Sequence, residues 1–435
     1  MQNKEIIEHK TKKMSQTQFK GLDSDSQVWR NWGGNVEAHP VRIFKPINEE
    51  EAITAVRSAI RDGLTIRVAG SGHSFSPLVT TDGLLMSLSE LHGITSIDTE
   101  RRRVRVRAGT PLRDLGPLLW EKGLALTNQG NIDQQEIAGV VSTATHGSGI
   151  NMGSFSSMVR WIKLIDGTGE VVEIGEDHPQ KLLAARTSMG ALGVILELEL
   201  EVSDAYDLQE VITFLTWEEI QDKWESYLME NRHFSFFWCP HDMSPSLYNL
   251  NVPKGTPFAD RVYVKRYPGA LTPDESARSE QNVRRRDRSY RIYPDQDPGN
   301  IASFHELEYF VPAKRGLEAV SVAREFMLMK HPDKLYPLEV RFIAAEDSYM
   351  SPSYGRESTV LSISGKVGTD YMPYLREFDA LMEDFDARPH WGKIHFLNRS
   401  RLERIYPALD KFLEVRSELD PNGVFLNKHL RSLFI

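Results

Sequence analysis

Val-Ala-Gly-Ser-Gly-His-Ser-Phe-Ser, at residues 68–76, joins a short apolar segment to a turn that contains two glycines. Residues 64–69 include Ile and Val and predict a strand that runs into this turn. Because glycine has no Cβ, Gly70 and Gly72 leave backbone N–H groups accessible to a phosphate. A nicotinamide-type G-x-G-x-x-G fingerprint is excluded, since it requires glycine at position 75 followed by a helix. On its own, His73 can equally be a polar turn residue.

Two further glycine-containing segments follow along the chain. Residues 130–149 read GNIDQQEIAGVVSTATHGSG, and their small and hydroxyl side chains are dense enough to line a pyrophosphate with neutral donors. Residues 188–195 read SMGALGVI, a glycine turn that enters an apolar strand. Each segment taken alone is also compatible with an ordinary glycine-rich loop.

Composition and charge exclude several functional classes. The chain has 435 residues and a formal net charge of −9, which argues against a nucleic acid as the main partner. The basic run 284–286 is interpreted as a solvated loop or an ion-pair cluster at a domain edge. Cys239 is the one cysteine, so an intramolecular disulfide and a cysteine-based zinc site are excluded, and we expect it to be a small buried residue. No apolar run approaches the roughly 18 residues of a membrane span or resembles a signal sequence, which predicts a cytoplasmic protein.

The secondary-structure pattern is that of a mixed protein. A helix is predicted over 48–63, since Asn48 can cap it and Gly63 can end it. A second helix is predicted to begin at Thr110–Pro111 and to stop at Gly123. Loops are predicted over 128–154, and a long surface excursion over 268–300. The remaining predicted strands are 84–88, 104–107, 161–165 and 194–202.

Glu339 and Arg341 stand two residues apart in the strand-like sequence Leu-Glu-Val-Arg-Phe and therefore project from one face. A carboxylate and a guanidinium on one face can bind and polarise a substrate hydroxyl or lactone oxygen. An ordinary ion pair is the alternative.

A resemblance to a known family extends over nearly the whole chain. Arg-Pro-His-Trp-Gly-Lys at 388–393 resembles the RPHWGK signature of the sugar-oxidising flavoproteins. The three glycine segments, Asn31-Trp32 and the DPNG-x-F-x-N sequence at 420–427 complete the match. The chain thus resembles the FAD-dependent oxidases of the vanillyl-alcohol-oxidase type, within them the aldonolactone oxidases and the related alditol oxidases.

The resemblance implies that FAD is the cofactor and that His73 is joined covalently to the 8α-methyl carbon of the flavin. Gly130 matches a position beside the flavin where dehydrogenase relatives carry alanine, so the absence of a Cβ there favours access of dioxygen and hence an oxidase. The other positions that match FAD contacts are Ala69, Gly70, Ser71, Gly72, Ser74, Gly139, Ser142, His146, Gly147 and Ile195.

On the substrate side, the resemblance implies that Glu339, Arg341 and Lys393 are catalytic. Arg341 and Lys393 would supply the positive charge that hydride transfer from a carbinol carbon requires, and no proton acceptor is assigned. Ser364 and His390 match further pocket residues. Asn131 stands where alditol oxidases carry a substrate-contacting serine, which leaves hydroxyl recognition on that side open.

The first functional hypothesis is an FAD-dependent oxidase of an aldonolactone, of the D-arabinono-1,4-lactone or L-gulono-1,4-lactone type, which passes hydride to flavin N5 and reduces dioxygen to hydrogen peroxide. The sequence Ile-Asp-Gln-Gln at 132–135 favours it. The alternative of an alditol (polyol) oxidase is favoured by SPSYGR at 351–356. A dehydrogenase with another acceptor and an inactive flavin-binding module are further alternatives. A hydrolase receives little support because neither H-E-x-x-H nor G-x-S-x-G occurs.

The predicted fold class is α+β, a two-domain FAD-binding fold of the PCMH type with a mixed α/β substrate domain. The predicted division is a flexible N-terminal tail (1–27), an FAD-binding domain (28–205), a substrate domain (206–396) and a C-terminal segment that returns to the FAD domain (397–435). The expected partners are a sugar lactone or polyol and dioxygen, with no nucleic acid, no membrane span and no metal.

Overall fold

The computed structural model describes residues 28–269, 283–294 and 304–435. Helices and antiparallel sheets are mixed, which confirms the predicted α+β class. The predicted tail at 1–27 lies outside the described residues, as does part of the predicted excursion at 268–300. Among the described residues, no helix is long and apolar enough to cross a membrane.

The strands are β1 (Trp29–Arg30), β2 (Glu37–Ala38), β3 (Arg42–Phe44), β4 (Ile66–Val68), β5 (Leu84–Met86), β6 (Ile94–Asp98), β7 (Arg103–Arg107), β8 (Leu124–Ala125), β9 (Val159–Ile165), β10 (Val171–Ile174), β11 (Val194–Glu201), β12 (Ser203–Asp204), β13 (Asp207–Thr216), β14 (His233–Cys239), β15 (Arg261–Tyr267), β16 (Val283–Arg288), β17 (Phe304–Pro312), β18 (Leu338–Ile343), β19 (Ser358–Lys366) and β20 (Arg388–Pro389). The helices are α1 (Glu49–Arg61), α2 (Leu112–Trp120), α3 (Ile137–Ser142), α4 (Pro179–Ala185), α5 (Trp217–Glu230), α6 (Ser244–Leu247), α7 (Ser289–Ile292), α8 (Gly316–Lys330), α9 (Met372–Glu383), α10 (Arg399–Ile405), α11 (Leu409–Leu419) and α12 (Lys428–Phe434).

Besides the two-stranded pairs β1-β2 and β12-β8, the first half of the chain builds two larger sheets. One is parallel, in the order β3-β5-β4, and the other is antiparallel, in the order β10-β9-β11-β7-β6. The alternation of β7 explains its position, because Val104 and Val106 are buried while the arginines face outward to partners such as Glu199. The core of these sheets also receives the C-terminal helices α10 to α12 and residues 349, 350 and 391.

The second half of the chain forms an eight-stranded antiparallel sheet, in the order β16-β13-β15-β14-β18-β19-β17-β20. Helices α5, α8 and α9 pack on it and build a second core. Cys239 lies in β14 and is buried, as predicted. The predicted domain boundaries remain a proposal; that β12 ends at Asp204 and β13 begins at Asp207 supports the division near 205.

Three local predictions require correction. Residues 137–142, predicted as loop, form α3, because the apolar run Ile-Ala-Gly-Val-Val buries one side in the first core. Residues 283–288, placed in the surface excursion, form the edge strand β16. Arg284 and Arg285, although partly exposed, pair with the buried Glu210, which supports the ion-pair interpretation of the basic run. Helix α2 has Pro111 as its N-cap and not Thr110.

Arg67 ties the C-terminal segment to the glycine turns. Its guanidinium is buried and donates to the backbone oxygens of Leu78 (2.7 Å), Met189 (2.6 Å), Gly190 (2.9 Å) and Phe425 (2.5 Å). Burial lowers the pKa of Arg67 to about 10, which still leaves it charged at neutral pH. One side chain therefore holds three distant stretches of chain around the turn at residues 70–74.

Candidate active site

A first cavity, with about 970 Å³ of space when open solvent is included, lies above the end of strand β4. It is lined by the turn at 70–74, by one side of α3 and its following residues, and by the entry of β11 at Ile195. Gly139 and Ser142 line it from α3, and a Cβ added at Gly139 would meet nothing within 4 Å. The three glycine segments of the sequence thus meet around one elongated space.

The turn at 70–74 presents a row of unused donors. The backbone N–H groups of these five residues have no acceptor among the described residues, whereas those on either side bind Met86 and Gly392. Gly72 has φ +73°, a conformation that favours glycine. Consecutive N–H groups in a turn form a concave site for an anion, so this turn fits the diphosphate of FAD.

The charged side chains that line this cavity leave the phosphate to neutral donors. Arg67 has its guanidinium taken by backbone carbonyls, and the other charged lining residue is Glu136. Burial raises the pKa of Glu136 to about 7, partly opposed by the charge of Lys45. The adjoining polar donors are therefore the backbone and hydroxyl groups that the sequence predicted.

A second cavity, with about 950 Å³ of space when open solvent is included, adjoins the first. The two share as lining residues His73, Ser74, Gln135, Thr143 and Thr145. The eight-stranded sheet bounds the second cavity. Most of the ionisable side chains that line the two cavities belong to this second one. A ligand that fills the first cavity can therefore reach the second one past His73.

His73 has neither ring nitrogen bonded to another described residue. Burial, and secondarily the charge of Lys393, lower its pKa to about 4, so the ring is neutral at pH 7. Trp32 covers it, with ring centroids 5.4 Å apart. A neutral imidazole with a free nitrogen at the junction of the cavities is what a covalent flavin link requires.

Glu339 and Arg341 both face the second cavity from β18, as their spacing predicted. The Nε of Arg341 lies 3.5 Å from Oε1 of Glu339, and Asn131 donates to the same oxygen at 3.0 Å. Burial raises the pKa of Glu339, although the charge of Arg341 opposes this. The stronger partner of Arg341 is Glu308 on β17, which accepts from its Nη2.

Lys393 reaches the second cavity beside a further carboxylate. Its Nζ donates to Glu306 on β17, and Ser362 donates to the other oxygen of that carboxylate. Phe75 lies below the ammonium group, with 5.5 Å between Nζ and the ring centroid. The cation is thus held in place between a carboxylate and an aromatic ring.

His390 is fixed in one tautomer. The backbone N–H of Gly392 donates to its Nδ1 at 2.9 Å, so the proton of the neutral ring is on Nε2. Burial lowers the pKa of His390 to about 3, and Glu308 only partly opposes this. His390 is therefore a donor at neutral pH and not a base.

Three predicted site residues do not line either cavity. Ala69 is tied into the sheet through its N–H to Met86, and Ser364 bonds the hydroxyl of Tyr248, which does face the second cavity. Gly147 is packed against backbone, since a Cβ there would lie 2.1 Å from the oxygen of Gln129. His146, predicted to contact the cofactor, lines the second cavity and bonds Glu308. Asn131 and Gly130 line the second cavity too.

Sequence reasoning missed Glu306 and Glu308, as well as Trp32 and Tyr248. The two glutamates stand two residues apart in β17, so both side chains project from the same face. The sequence of this strand, Phe-His-Glu-Leu-Glu-Tyr-Phe-Val-Pro, is otherwise mostly apolar. Buried carboxylates at two-residue spacing in such a strand are costly unless they are paired. That pattern was an available signal of a site.

Comparison with known proteins identifies the family. An L-gulono-1,4-lactone dehydrogenase from Mycobacterium tuberculosis is 31% identical over 427 residues, which cover 93% of this chain and 99% of that protein. The chain belongs to the aldonolactone oxidase family. A D-arabinono-1,4-lactone oxidase family model matches residues 246–433, and an FAD binding domain model matches residues 40–175. L-gulonolactone oxidase from Mus musculus and alditol oxidase from a Streptomyces species are each 29% identical, and each alignment covers 93% of this chain and 98% of the relative.

Among solved structures, cholesterol oxidase from B. sterolicum superposes with a TM-score of 0.79 at 13% identity, covering 95% of this chain and 98% of that one. This likeness concerns the fold and confirms the predicted two-domain FAD-binding architecture of the PCMH type. Membership of the family, together with the FAD binding domain, identifies the protein as an FAD-dependent oxidoreductase acting on CH–OH groups. The covalent link, the substrate and the electron acceptor belong to the proposal below.

Proposed function

We propose that the protein is an aldonolactone oxidase that carries FAD on His73 and uses Glu339, Arg341, His390 and Lys393 to bind and activate the substrate. The observation that carries the proposal is the convergence of these side chains on the second cavity, next to the open N–H row of the first. When bound, FAD supplies the acceptor for the hydride of the substrate carbon.

The proton of the substrate hydroxyl requires an acceptor. When the other ionisable side chains of the second cavity are excluded, Glu339 remains. Lys393 is an ion-paired cation, and neutral His390 presents an N–H at its free nitrogen. Glu306 and Glu308 each have both oxygens engaged by other protein groups. Glu339 has Oε2 free of described partners, and burial raises its pKa toward the range of a useful base.

The charge of the cavity favours a neutral substrate. Three carboxylates (Glu306, Glu308 and Glu339) face Arg341 and Lys393, and even a protonated His146 would only equalise the two signs, so there is no positive excess to hold an anion. A lactone or polyol satisfies this condition, while an open-chain sugar acid does not.

The motifs that separated the two substrate classes lie in different places. Ile132 and Gln135, from the segment typical of lactone oxidases, line the second cavity. The segment 351–356, shared with alditol oxidases, lines neither cavity. Its Ser351 bonds Glu346, and Arg356 binds backbone oxygens of Phe310 and Asp386. The locations of the two motifs therefore favour a lactone as the substrate.

The test is anaerobic bleaching of the purified yellow protein with a panel of aldonolactones, alditols and the corresponding free acids. We expect bleaching by at least one lactone, at lower concentration than by any alditol, and no bleaching by the acids. Bleaching by alditols alone would favour the polyol oxidase. A flavin that no member of the panel reduces would contradict the proposal.

Gly130 provides a prediction about dioxygen as the electron acceptor. A Cβ at this position would lie 3.5 Å from the backbone oxygen of His146 and 3.7 Å from the methyl group of Thr145, so alanine fits without strain. We expect Gly130→Ala to slow reoxidation of the reduced flavin by dioxygen by at least about tenfold, equivalent to ~1.4 kcal/mol of barrier. Stopped-flow mixing of the reduced protein with oxygenated buffer measures this.

The control for Gly130→Ala is the reductive half-reaction with lactone, which should keep its rate. Turnover with an artificial electron acceptor should also be retained. If the wild type itself reoxidises no faster than the variant, dioxygen is not the acceptor, and a dehydrogenase like the M. tuberculosis relative is the better description.

A further inference from the structure

Both ring nitrogens of His146 face hydrogen-bond acceptors. Nδ1 lies 2.7 Å from the backbone oxygen of Gly147, and Nε2 lies 3.1 Å from Oε1 of Glu308. Both side chains are buried, His146 at 2% and Glu308 at 0% exposure. A carbonyl oxygen accepts and never donates, so the proton at Nδ1 is required by the first contact.

A neutral ring cannot satisfy the second contact as well. With the proton on Nδ1, the lone pair of Nε2 would face a carboxylate oxygen, and the other tautomer would create the same repulsion at Gly147. Turning the ring by 180° would place carbon atoms against both acceptors and lose both bonds. The pair of His146 and Glu308 therefore holds one proton more than a neutral imidazole and a carboxylate.

The surroundings place this proton on the histidine. Glu308 accepts from Arg341 through its other oxygen. Burial raises the pKa of Glu308, but the guanidinium of Arg341, together with the hydrogen bond and charge of His146, outweighs burial and holds the pKa of this carboxyl well below its usual range. The other ionisable groups that face the pair are neutral His390 and, further along the cavity, Glu339 and Lys393.

A metal ion is the competing explanation of this cluster. Donor atoms of His146, Glu308 and His390 lie within 4.8 Å of one another. A divalent cation there would, however, share the carboxylate of Glu308 with the guanidinium of Arg341, and His390 already spends Nδ1 on Gly392. A proton on the ring of His146 supplies the positive charge that the facing acceptor atoms require, without this repulsion.

We propose that His146 is an imidazolium held between the oxygens of Gly147 and Glu308, and that His146 and Glu308 together position Arg341 while preserving its positive charge. Glu308 alone would cancel the charge of Arg341. With the added proton, the trio of His146, Glu308 and Arg341 carries a net charge of +1 toward the second cavity. This gives the site the fixed cation that hydride transfer calls for. The catalytic part of the inference rests on the proposed function, whereas the protonation state does not.

The test is ¹⁵N-histidine NMR of the holoenzyme, with His146→Gln to assign the signal. We expect the spectrum of an imidazolium at pH 7, with both ring nitrogens protonated. His233 is an internal control, because it is buried with Nδ1 against the backbone oxygen of Ser148 and none of the described carboxylates bonds it. Burial lowers its pKa to about 3, so it should show a neutral ring. A neutral tautomer of His146 at pH 7 would overturn the proposal.

A second measurement uses Glu308→Gln, which keeps the shape of the side chain and removes its charge. We expect His146 to become neutral in this variant and kcat to fall at least about tenfold, with FAD content unchanged. Glu308→Asp should restore the imidazolium signal and part of kcat. An imidazolium that survives Glu308→Gln would contradict the coupling, and because the NMR signal needs no substrate, this result is separable from failure of the proposed lactone activity.

Discussion

We expect Glu339→Gln to lower kcat by about 10²–10⁴-fold, the usual contribution of a positioned general base. The amide keeps an oxygen for the hydrogen bond from Asn131 but cannot take the hydroxyl proton of the substrate. The measurement is the rate of anaerobic flavin reduction at saturating lactone.

The pH profile provides the matching signature. Burial raises the pKa of Glu339, and the base is the ionised form, so wild-type activity should fall as the pH drops through that raised pKa. This acid limb should be absent from Glu339→Gln. Glu225→Gln, an exposed glutamate on α5, is the control and should change neither quantity. Equal reduction rates in Glu339→Gln and wild type would show that another group accepts the proton.

The second large effect concerns the cofactor. After acid precipitation, we expect the wild type to keep all of its flavin in the pellet and His73→Ala to release all of it to the supernatant, because alanine has no nitrogen to bond the flavin. The absorbance of the supernatant at the flavin maximum measures the difference. His178→Ala, an exposed histidine before α4, should behave as wild type.

Two outcomes would contradict the covalent link. A colourless wild-type pellet would show that FAD is bound without a bond to the protein. A yellow pellet from His73→Ala would place the bond at another residue. In both cases the N–H row at 70–74 would still account for binding of the diphosphate.

Local signals in the sequence predicted much of the fold. Asn48 caps α1 as expected, with its side chain accepting from Glu51, and Gly63 lies at φ +69° just beyond the helix end. The alternation of Arg and Val in β7 correctly predicted which side of that strand is buried. The two-residue spacing of Glu339 and Arg341 correctly predicted that both face the same side of their strand. These features depend on neighbours within one turn or one strand, which is why the sequence reveals them.

The partners of the site residues could not be predicted in this way. His146 and Glu308 are 162 positions apart, and their contact exists only once β17 has joined the large sheet. Ser364 was assigned to the substrate because the resemblance matched its position, but its hydroxyl is engaged by Tyr248. Tertiary packing, and no local pattern, decides which polar groups remain available to a ligand.

The hydrogen bonds from Arg67 to four carbonyl oxygens determine when, during synthesis of the chain, the cradle around residues 70–74 can be completed. Phe425 supplies one of them and is followed by Asn427, whose amide binds the backbone oxygens of Pro77 and Thr80. During translation, the cradle around residues 70–74 is therefore incomplete until residues 425–427 have left the ribosome. A nascent chain that is stalled before that point is therefore expected to lack a complete cradle and to bind flavin weakly.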